Sequence, residues 1–533
     1  MKRLFLIGSF LFVVCLPIIY PFLLPGYFPS HDGEWAVVRL AEMHREIKEL
    51  QLPPRWAGYL NHGYGYPLFL FTYPLPYYLT EIFHLVGFGF VNAIKFGFVL
   101  TVIGSAATMF LLAKRMWGTW GGLISTVLYL YAPYRLSNLF VRGSLGESLA
   151  FVIFPLLFLS FQKLVADGST KLIVICSLGL GALILTHNAL AILFLPTFIL
   201  WLIYLLSEKK FAPEKVKAVL VALTLGLVVS AFFWLPALVE KSNIVLSQIP
   251  LADKSEHFLS VRELVSTTWS FRIRPPLFLG ASLVLATLMS LGIFLSRKQS
   301  GLKQRLLVLL GLAIFSLFML FPASQFLWQM PLVKDIDFPW RMLSVVTFLL
   351  ALISGVLAQY KWGKLVAMFI IILVVGLNLG YIKTQNRIFN EDSYYETNDA
   401  TTTSAGELMP IWVKDAPRNR PSEKAILESS QGKVTVEKDT STNLKLQVEV
   451  PIQTNLIVNT VFFPGWKAFV DQVAAKILVV PQTGLMTLLL PDGKHEVELI
   501  FKNTGIRQFA DILSVGGIIL LSYLWHWRKK SFR

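Results

Sequence analysis

The chain has 533 residues, of which 55% are hydrophobic and 14% aromatic, and its mean hydropathy is +0.61. This composition excludes an ordinary soluble enzyme and indicates a polytopic membrane protein, with the lipid bilayer as a partner. A net charge of +16 could indicate nucleic-acid binding, but the basic residues lie mostly in short loops between apolar segments, so we expect no nucleic acid. The two cysteines, Cys15 and Cys176, fall inside apolar runs and predict neither a disulfide framework nor a cysteine-based zinc site.

The N-terminal part combines an apolar run with a long polar loop. Leu4–Leu24 could be a signal peptide or a first span; bulky neighbours and three prolines favour an uncleaved span with a cytoplasmic N-terminus. The first external loop, residues 25–90, then contains apolar residues at helical spacing over Glu34–Leu50, which predicts a helix at the membrane interface. Leu68–Val86 is apolar but carries two prolines and charged groups, which favours an interfacial or re-entrant segment.

Eleven further apolar segments complete a predicted set of about twelve transmembrane helices with both termini in the cytoplasm. These segments are Val91–Ala113, Trp120–Ala132, Ser148–Leu164, Leu172–Leu185, Ala189–Leu206, Val216–Leu238, Leu277–Leu295, Leu306–Phe321, Met342–Leu357, Leu365–Tyr381 and Phe509–Trp525. Basic clusters then fall on the cytoplasmic side, at Lys114 and Arg115, at residues 163–171, 209–217, 297–305 and 361–364, and in the tail from Arg528.

This topology brings polar residues from distant segments to the opposite, external face of the membrane. They are Asp32, Glu34, Arg135, Arg142, Glu147, His187, Asn188, Asp335, Asp337 and Arg341. Carboxylates, arginines and a histidine that lie at one membrane face can together form a binding or catalytic site at that surface.

Residues 383–507 change to a polar composition and predict an extracytoplasmic β-rich domain between the transmembrane module, residues 1–382, and a last helix with a basic cytoplasmic tail, residues 508–533. Apolar and polar residues alternate in five segments, which predicts a small antiparallel β-sandwich. The predicted strands are Lys433–Val436, Leu444–Val450, Leu456–Phe462, Leu485–Leu490 and His495–Phe501. Asp392–Gly406 is expected to be a loop or linker.

Several motifs resemble those of known membrane-protein families. One span, a long external loop with an acidic residue near its start and a Tyr-Pro-x-x-Tyr-Tyr-Leu segment resemble the GT-C superfamily of membrane glycosyltransferases. HDGEWAVVRL, RGSLGESLAF, LTHN and DFPWRML resemble the bacterial membrane-protein family named as related to 6-pyruvoyl-tetrahydropterin synthase, although nothing here looks like a pterin enzyme. FFPGWKAFVD with LPDGKHEVELIF resembles the external domain of bacterial lipoteichoic-acid-glycosylating proteins.

The resemblance implies a GT-C-like fold and transfer of a sugar from a polyprenyl-phosphate carrier to a glycan, lipid or protein acceptor on the outer face of the plasma membrane. Asp32 matches the acidic residue that acts as a base or binds a divalent metal, Mg or Mn, in that superfamily. Glu34 is a second catalytic candidate, although Gly33 separates the two acids where the family often has an adjacent pair. Candidates for substrate binding are His31, Arg55, Tyr64, Tyr66, Arg142, Glu147, His187, Asp337 and Arg341.

Structural explanations compete with these roles. Asp32 could cap the interfacial helix, with Ser30 as the other candidate, and Arg142 and Glu147 could only pair at a span end. His187 could be a hydrogen-bonded structural histidine. Three features need no substrate either: Arg55 and Arg341 could reach lipid headgroups, the tyrosines and tryptophans could form an interfacial belt with Trp340 as an anchor, and Trp466 could be core of the β domain.

Two other classes of function stay open. A flippase or transporter of lipid-linked sugars predicts polar groups near the middle of the membrane and a path open to both sides, whereas the polar residues here gather on one face. A non-catalytic partner in envelope assembly predicts tolerance to the loss of Asp32.

Overall fold

The computed structural model describes residues 2–296, 300–403 and 405–526, and it is mainly helical with a β domain near the C-terminus. The predicted basic residues Arg297 and Lys298 and the basic tail from Arg528 lie outside these ranges. Eighteen α-helices occur in the described part, and we number them in chain order. They are α1 Lys2–Leu23, α2 Gly33–Lys48, α3 Leu68–Phe71, α4 Leu75–Leu85, α5 Phe90–Tyr131, α6 Pro133–Ser137, α7 Leu145–Asp167, α8 Thr170–Thr186, α9 Asn188–Ser207, α10 Pro213–Val229, α11 Ala231–Glu240, α12 Val261–Leu264, α13 Ala281–Ser296, α14 Ser300–Phe318, α15 Leu343–Ser354, α16 Gly363–Asn378, α17 Asp392–Glu396 and α18 Gly505–His526.

All twelve predicted apolar segments fall on these helices, which confirms an α-helical polytopic architecture. By length and composition, eight helices of the described ranges can cross a membrane, or nine if α10 and α11, bent by 68°, form one span. Two predicted spans lie within α5, one on each side of Gly118, where non-helical backbone angles with φ of 78° separate two helical segments. Two others fall on α8 and α13, which are shorter. A count of twelve separate crossings therefore stays a prediction.

The first external loop contains the expected helix, and the apolar segment Leu68–Val86 that follows it is not one continuous helix. Helix α2 buries Val37, Leu40 and Met43 and packs against α4, α5 and α17. Leu68–Val86 forms two short helices, α3 and α4, on either side of the Thr72–Pro74 segment. The prolines explain this break, because they cannot donate the backbone hydrogen bonds of a continuous helix. Helix α17 lies in the stretch that was expected to be a loop.

The β domain consists of two antiparallel sheets, as expected. A four-stranded sheet has the order β1-β4-β8-β7, and a five-stranded sheet has the order β2-β3-β9-β5-β6. The strands are β1 Ala425–Leu427, β2 Lys433–Thr440, β3 Asn443–Val450, β4 Thr454–Val461, β5 Trp466–Val470, β6 Val473–Ala475, β7 Leu478–Val479, β8 Leu485–Leu490 and β9 Gly493–Phe501. The five predicted strands are confirmed, and the sequence pattern missed the four others.

Contacts between aromatic rings join the β domain to the first external loop. The buried Trp56 ring lies edge-on to Trp466 with the ring centroids 5.6 Å apart. Trp466 is 7% exposed, which confirms it as core of the β domain.

Cys15 and Cys176 are both buried and unpaired in the helical part, as expected of small core residues.

Candidate active site

Asp32 stands where the first external loop enters α2, and its carboxylate is free of the helix it precedes. It occupies the N-cap position, but its side chain makes no capping hydrogen bond. The Ser30 hydroxyl, the other expected cap, has no partner among the described residues either. The Asp32 side chain is 40% exposed, and one oxygen lies 3.9 Å from an Arg142 guanidinium nitrogen. Capping by the Asp32 side chain is therefore contradicted, and the carboxylate faces Arg142.

The backbone holds the two loops together at this point. The His31 amide donates to the Val141 carbonyl at 3.1 Å, and the Asp32 amide donates to the Arg142 carbonyl at 2.7 Å. Gly143 follows with φ of 62°, and a Cβ atom at this position would lie 2.3 Å from the Ser30 hydroxyl. Only glycine combines this left-handed conformation with such a close approach. The first glycine of the RGSLGES motif therefore fixes the separation of the loops.

Local sequence places Arg142 at the end of an irregular helical turn. Ala132 is extended because Pro133 follows it, and Pro133 then begins α6. The chain continues in a π-helical turn, Asn138–Arg142, before Gly143 ends it and α7 begins. Single π turns inside helical segments are frequent at functional sites.

Glu147, in the first turn of α7, is completely buried and holds Arg142 in place. One carboxylate oxygen of Glu147 pairs with the Arg142 guanidinium. The other accepts hydrogen bonds from the Tyr134 hydroxyl at 2.6 Å, from the Asn138 amide at 3.3 Å and from the Ser344 hydroxyl. The predicted Arg142–Glu147 pair is confirmed, and three donors that the sequence did not indicate complete its surroundings.

Arg341 lies beside this pair, and it forms no ion pair with the residues that the structure describes. It follows Pro339, which begins the expected helical turn Pro339–Met342 before α15. Its guanidinium carbon lies 5.1 Å from the Phe338 ring and 5.8 Å from the Trp340 ring, and the buried Nε has no hydrogen-bond partner among the described residues. Trp340 is only 6% exposed, because the Arg142 guanidinium covers its ring at 4.7 Å. The expectation of an interfacial Trp340 is therefore wrong.

The rings of His187 and Tyr73 lie close to the guanidinium of Arg341. The two rings stack with centroids 4.9 Å apart, and a His187 ring nitrogen accepts a hydrogen bond from the Leu190 amide at 3.3 Å. His187 thus caps α9, as the structural explanation expected. Gly146 makes room for Tyr73, since a Cβ at that position would lie 2.4 Å from the Tyr73 ring. Tyr73 is the first residue of the Tyr-Pro-x-x-Tyr-Tyr-Leu segment, but the sequence analysis did not name it as a site residue.

We call Asp32, Arg142, Glu147, His187 and Arg341 the arginine site. Five other predicted site residues make their contacts elsewhere. Arg55 forms an ion pair at 2.6 Å with Asp511 of α18. Tyr64 packs next to β4, and Tyr66 is buried with its hydroxyl 3.1 Å from that of Thr402. Asp337 accepts a hydrogen bond from the Leu251 amide at 3.0 Å. Burial raises the pKa of the Tyr27 and Tyr395 hydroxyl groups, and the nearby charge of Glu34 adds to this shift.

Burial shifts the titration of three predicted residues around the arginine site. Burial lowers the pKa of His31, although the neighbouring Asp32 opposes this shift. Burial raises the pKa of Glu34 and of Asp337 above the ordinary range of a carboxyl group. Both carboxyl groups are thus easier to protonate than a carboxyl in water.

The donor set does not suit a metal ion held by the protein alone. No group of three or more histidine, cysteine, aspartate or glutamate side chains with metal-binding geometry occurs within residues 2–296, 300–403 and 405–526. Glu147 is taken up by four donors, and Asp32 faces a guanidinium. The expected divalent metal at Asp32 therefore stays a prediction.

Comparison with protein families matches residues 70–388 to the family described as 6-pyruvoyl-tetrahydropterin synthase related domain; membrane protein. The match covers more than half of the chain. The chain belongs to this family. The matched range includes Arg142, Glu147, His187 and Arg341 of the arginine site, whereas Asp32 precedes it.

An uncharacterized protein of Lactococcus lactis subsp. cremoris is 23% identical over 227 residues, which is 41% of this chain and 37% of that relative. The chain thus matches well under half the length of this relative. Two solved structures are similar at low identity. ArnT from Cupriavidus metallidurans bound to undecaprenyl phosphate is 15% identical, with 74% of this chain and 68% of ArnT covered and a TM-score of 0.43. The mycobacterial arabinofuranosyltransferase AftD is 12% identical, with 71% and 26% covered and a TM-score of 0.46.

Proposed function

We propose that the chain is a glycosyltransferase of the GT-C type, which moves a sugar from a polyprenyl-phosphate carrier to an acceptor in the cell envelope on the external face of the plasma membrane. The observation that carries this proposal is the charge balance of the arginine site. Arg142 pairs with the buried carboxylate of Glu147 and lies 3.9 Å from that of Asp32, whereas Arg341 forms no ion pair with the residues that the structure describes. Arg341 is half-buried, and a guanidinium partly withdrawn from water without an ion-pair partner favours binding of an anion.

A phosphate group suits the guanidinium groups of this site. Guanidinium groups present several N–H donors in a planar arrangement that matches two phosphate oxygens at once. Arg341 has the freer guanidinium, because Glu147 and Asn138 already occupy one Arg142 nitrogen. The site lies at the ends of α7, α8 and α15, where the phosphate of a carrier lipid could enter from the bilayer while its polyprenyl chain stays among apolar helix surfaces.

The proposed reaction uses Asp32 as the base. An acceptor hydroxyl gives its proton to the Asp32 carboxylate while its oxygen attacks the anomeric carbon of the sugar. The bond between that carbon and the phosphate oxygen breaks, and the electron pair stays on the polyprenyl phosphate. Arg341 and Arg142 stabilise the negative charge that develops there. Asp32 suits this role because its carboxylate is partly exposed and accepts no hydrogen bond from the helix.

The direct test is a transfer assay with the full chain in lipid nanodiscs. Polyprenyl phosphates carrying radiolabelled glucose, galactose, mannose or arabinose are incubated with a membrane extract, and both the labelled acceptor and the released polyprenyl phosphate are measured. We expect release and transfer with at least one of these sugars in the wild type. Lack of release with all four would contradict the proposal. Movement of intact donor across sealed vesicles without cleavage would instead favour a flippase.

A further inference from the structure

An uncharged stretch of sequence continues beyond the end of helix α14. No aspartate, glutamate, lysine, arginine or histidine occurs between Arg305 and Lys334, although α14 ends at Phe318. The 19 residues of α14 extend over roughly 28 Å, which is close to the thickness of the hydrocarbon core of a bilayer. The uncharged residues after Phe318 are therefore not needed to cross the membrane, and their composition requires another explanation.

Large apolar side chains are exposed in the middle of this stretch. We call residues 322–332, which read PASQFLWQMPL, the apolar segment. Within it Phe326 is 63% exposed, Met330 is 55% exposed and Leu332 is 69% exposed. Exposed apolar groups that lie close together mark the contact surface for a partner or for a membrane. The apolar segment is thus a surface whose partner has to be identified.

The exposed face of α14 leads directly to the apolar segment. Leu307 and Ile314 are 60% and 64% exposed, and their spacing places them on one face of the helix. Phe318, one turn after Ile314, continues this face. The Phe326 ring returns to it, with its centroid 6.4 Å from that of Phe318. Phe326 therefore lies level with the last turn of a helix that is long and apolar enough to cross a membrane.

The backbone of the apolar segment suits a place with little water. Backbone groups must find partners within the protein wherever lipid replaces water. Two 3₁₀ turns, Pro322–Ser324 and Leu327–Gln329, pair amides with carbonyls inside the segment. The buried Trp328 also fixes the segment to the end of α14, because its indole N–H donates to the Met319 carbonyl at 3.1 Å. The segment is therefore compact and its turns need few water molecules.

Basic groups lie at the edge of the apolar segment. Lys334 is exposed and follows the segment after one residue, and the Lys254 ammonium donates to the Lys334 carbonyl at 2.7 Å. Asp335, the next residue, pairs with Lys241 at 2.6 Å. Basic side chains beside an apolar surface suit lipid headgroups, because the charge reaches the phosphates while the apolar groups enter the bilayer. This arrangement favours a membrane over a second protein as the partner.

We propose that the apolar segment is a membrane anchor, which inserts Phe326, Met330 and Leu332 into the interfacial layer of the bilayer next to α14. The anchor belongs to the connection between α14 and α15, which also carries Arg341. It therefore ties the chain that leads to the arginine site to the bilayer surface. The inference rests on the exposed face of α14 and on the apolar segment, and it does not depend on the proposed sugar transfer.

Spin labels measure whether the segment lies in lipid. A full-length variant without the two native cysteines carries a nitroxide at one of the three exposed apolar positions, each replaced by cysteine, and is studied in nanodiscs. Collision rates of the label with oxygen, which concentrates in lipid, and with a water-soluble nickel complex are measured. Ile314→Cys on α14 is the reference for lipid, and Val473→Cys, 70% exposed in strand β6, is the reference for water.

We expect the ratio of oxygen to nickel collisions at the three positions to be severalfold above that of Val473→Cys and to approach that of Ile314→Cys. A ratio equal to that of Val473→Cys at all three positions would overturn the proposal, because the side chains would then lie in water. Low collision rates with both reagents would also overturn it, since they would indicate that a protein surface covers the segment.

A charge introduced into the segment gives a second measurement. A carboxylate in lipid is costly, so Leu332→Asp should lower the collision ratio of a label at Phe326→Cys towards the value in water. Val473→Asp, in the β domain, is the matched control and should leave that ratio unchanged. An equal ratio in both variants would contradict insertion of Leu332. None of these results depends on transfer of a sugar, so the anchor and the proposed enzyme fail separately.

Discussion

Replacement of Arg341 tests whether the arginine site binds the carrier phosphate. The side chain has no ion pair in the described part of the chain, so its removal breaks no salt bridge of the fold. A hydrogen bond to a charged group contributes about 1.5–3 kcal/mol, which corresponds to a change of about 10- to 150-fold in affinity. We expect Arg341→Ala to weaken binding of a polyprenyl phosphate by this factor. Arg341→Lys should bind with intermediate affinity, because an ammonium group cannot make the paired contacts of a guanidinium.

The assay is titration of the purified full chain with a short-chain polyprenyl phosphate, followed by native mass spectrometry. Arg274→Ala is the control, since Arg274 is an exposed arginine that pairs with Glu263 at 2.7 Å. Thermal unfolding of each variant checks that the fold survives. Full affinity and activity of Arg341→Lys would mean that Arg341 only reaches lipid headgroups, and would refute the phosphate role.

Three further predictions concern the base, the pH dependence of stability and the topology. Asp32→Asn should lower the rate of transfer by about two to four orders of magnitude at unchanged thermal stability, and a rate near that of the wild type would exclude Asp32 as the base. Because burial raises the pKa of Glu34 in the folded state, its contribution to stability is present below the unfolded pKa and is lost as pH rises through the folded pKa. Glu34→Gln should therefore reduce the fall in melting temperature as pH rises above the ordinary pKa of a glutamate, and identical pH profiles of variant and wild type would contradict this. In a variant without Cys15 and Cys176, an impermeant thiol reagent should label Gln431→Cys and leave Lys209→Cys unlabelled in intact cells, and the reverse result would put the arginine site on the cytoplasmic side.

The sequence predicted the elements whose signal is local. Apolar runs marked the helices, and alternation marked the longer strands, because both periodicities are written in consecutive residues. Strands β6 and β7 have three and two residues and are too short to show a period. The two predicted spans within α5 lie on either side of Gly118, where the backbone leaves the helical conformation and the helix is kinked.

Whether a contact in the site could be predicted depended on how far apart its two residues lie in the chain. The Arg142–Glu147 pair was predictable because five residues separate the two side chains. Ser344, which donates to the same carboxylate, is 197 residues from Glu147 and shows no pattern in the sequence. Arg55 was a candidate for substrate or headgroup binding, but its guanidinium pairs with Asp511, 456 residues away. Such partners depend on the packing of α18 against the external loop, which no local rule determines.

The different surroundings of Glu147 and Asp32 suit the two carboxylates of the arginine site to different roles. Glu147 is buried with four donors around it, so its negative charge is permanently needed to hold Arg142. A carboxylate in that position cannot give up its charge without leaving the arginine unpaired. The Asp32 side chain is 40% exposed and lies 3.9 Å from the same guanidinium, so it is not the carboxylate that holds Arg142 in place. Because Glu147 is the carboxylate that holds Arg142, the fold does not depend on Asp32 for that contact, which supports the proposal that Asp32 is the base.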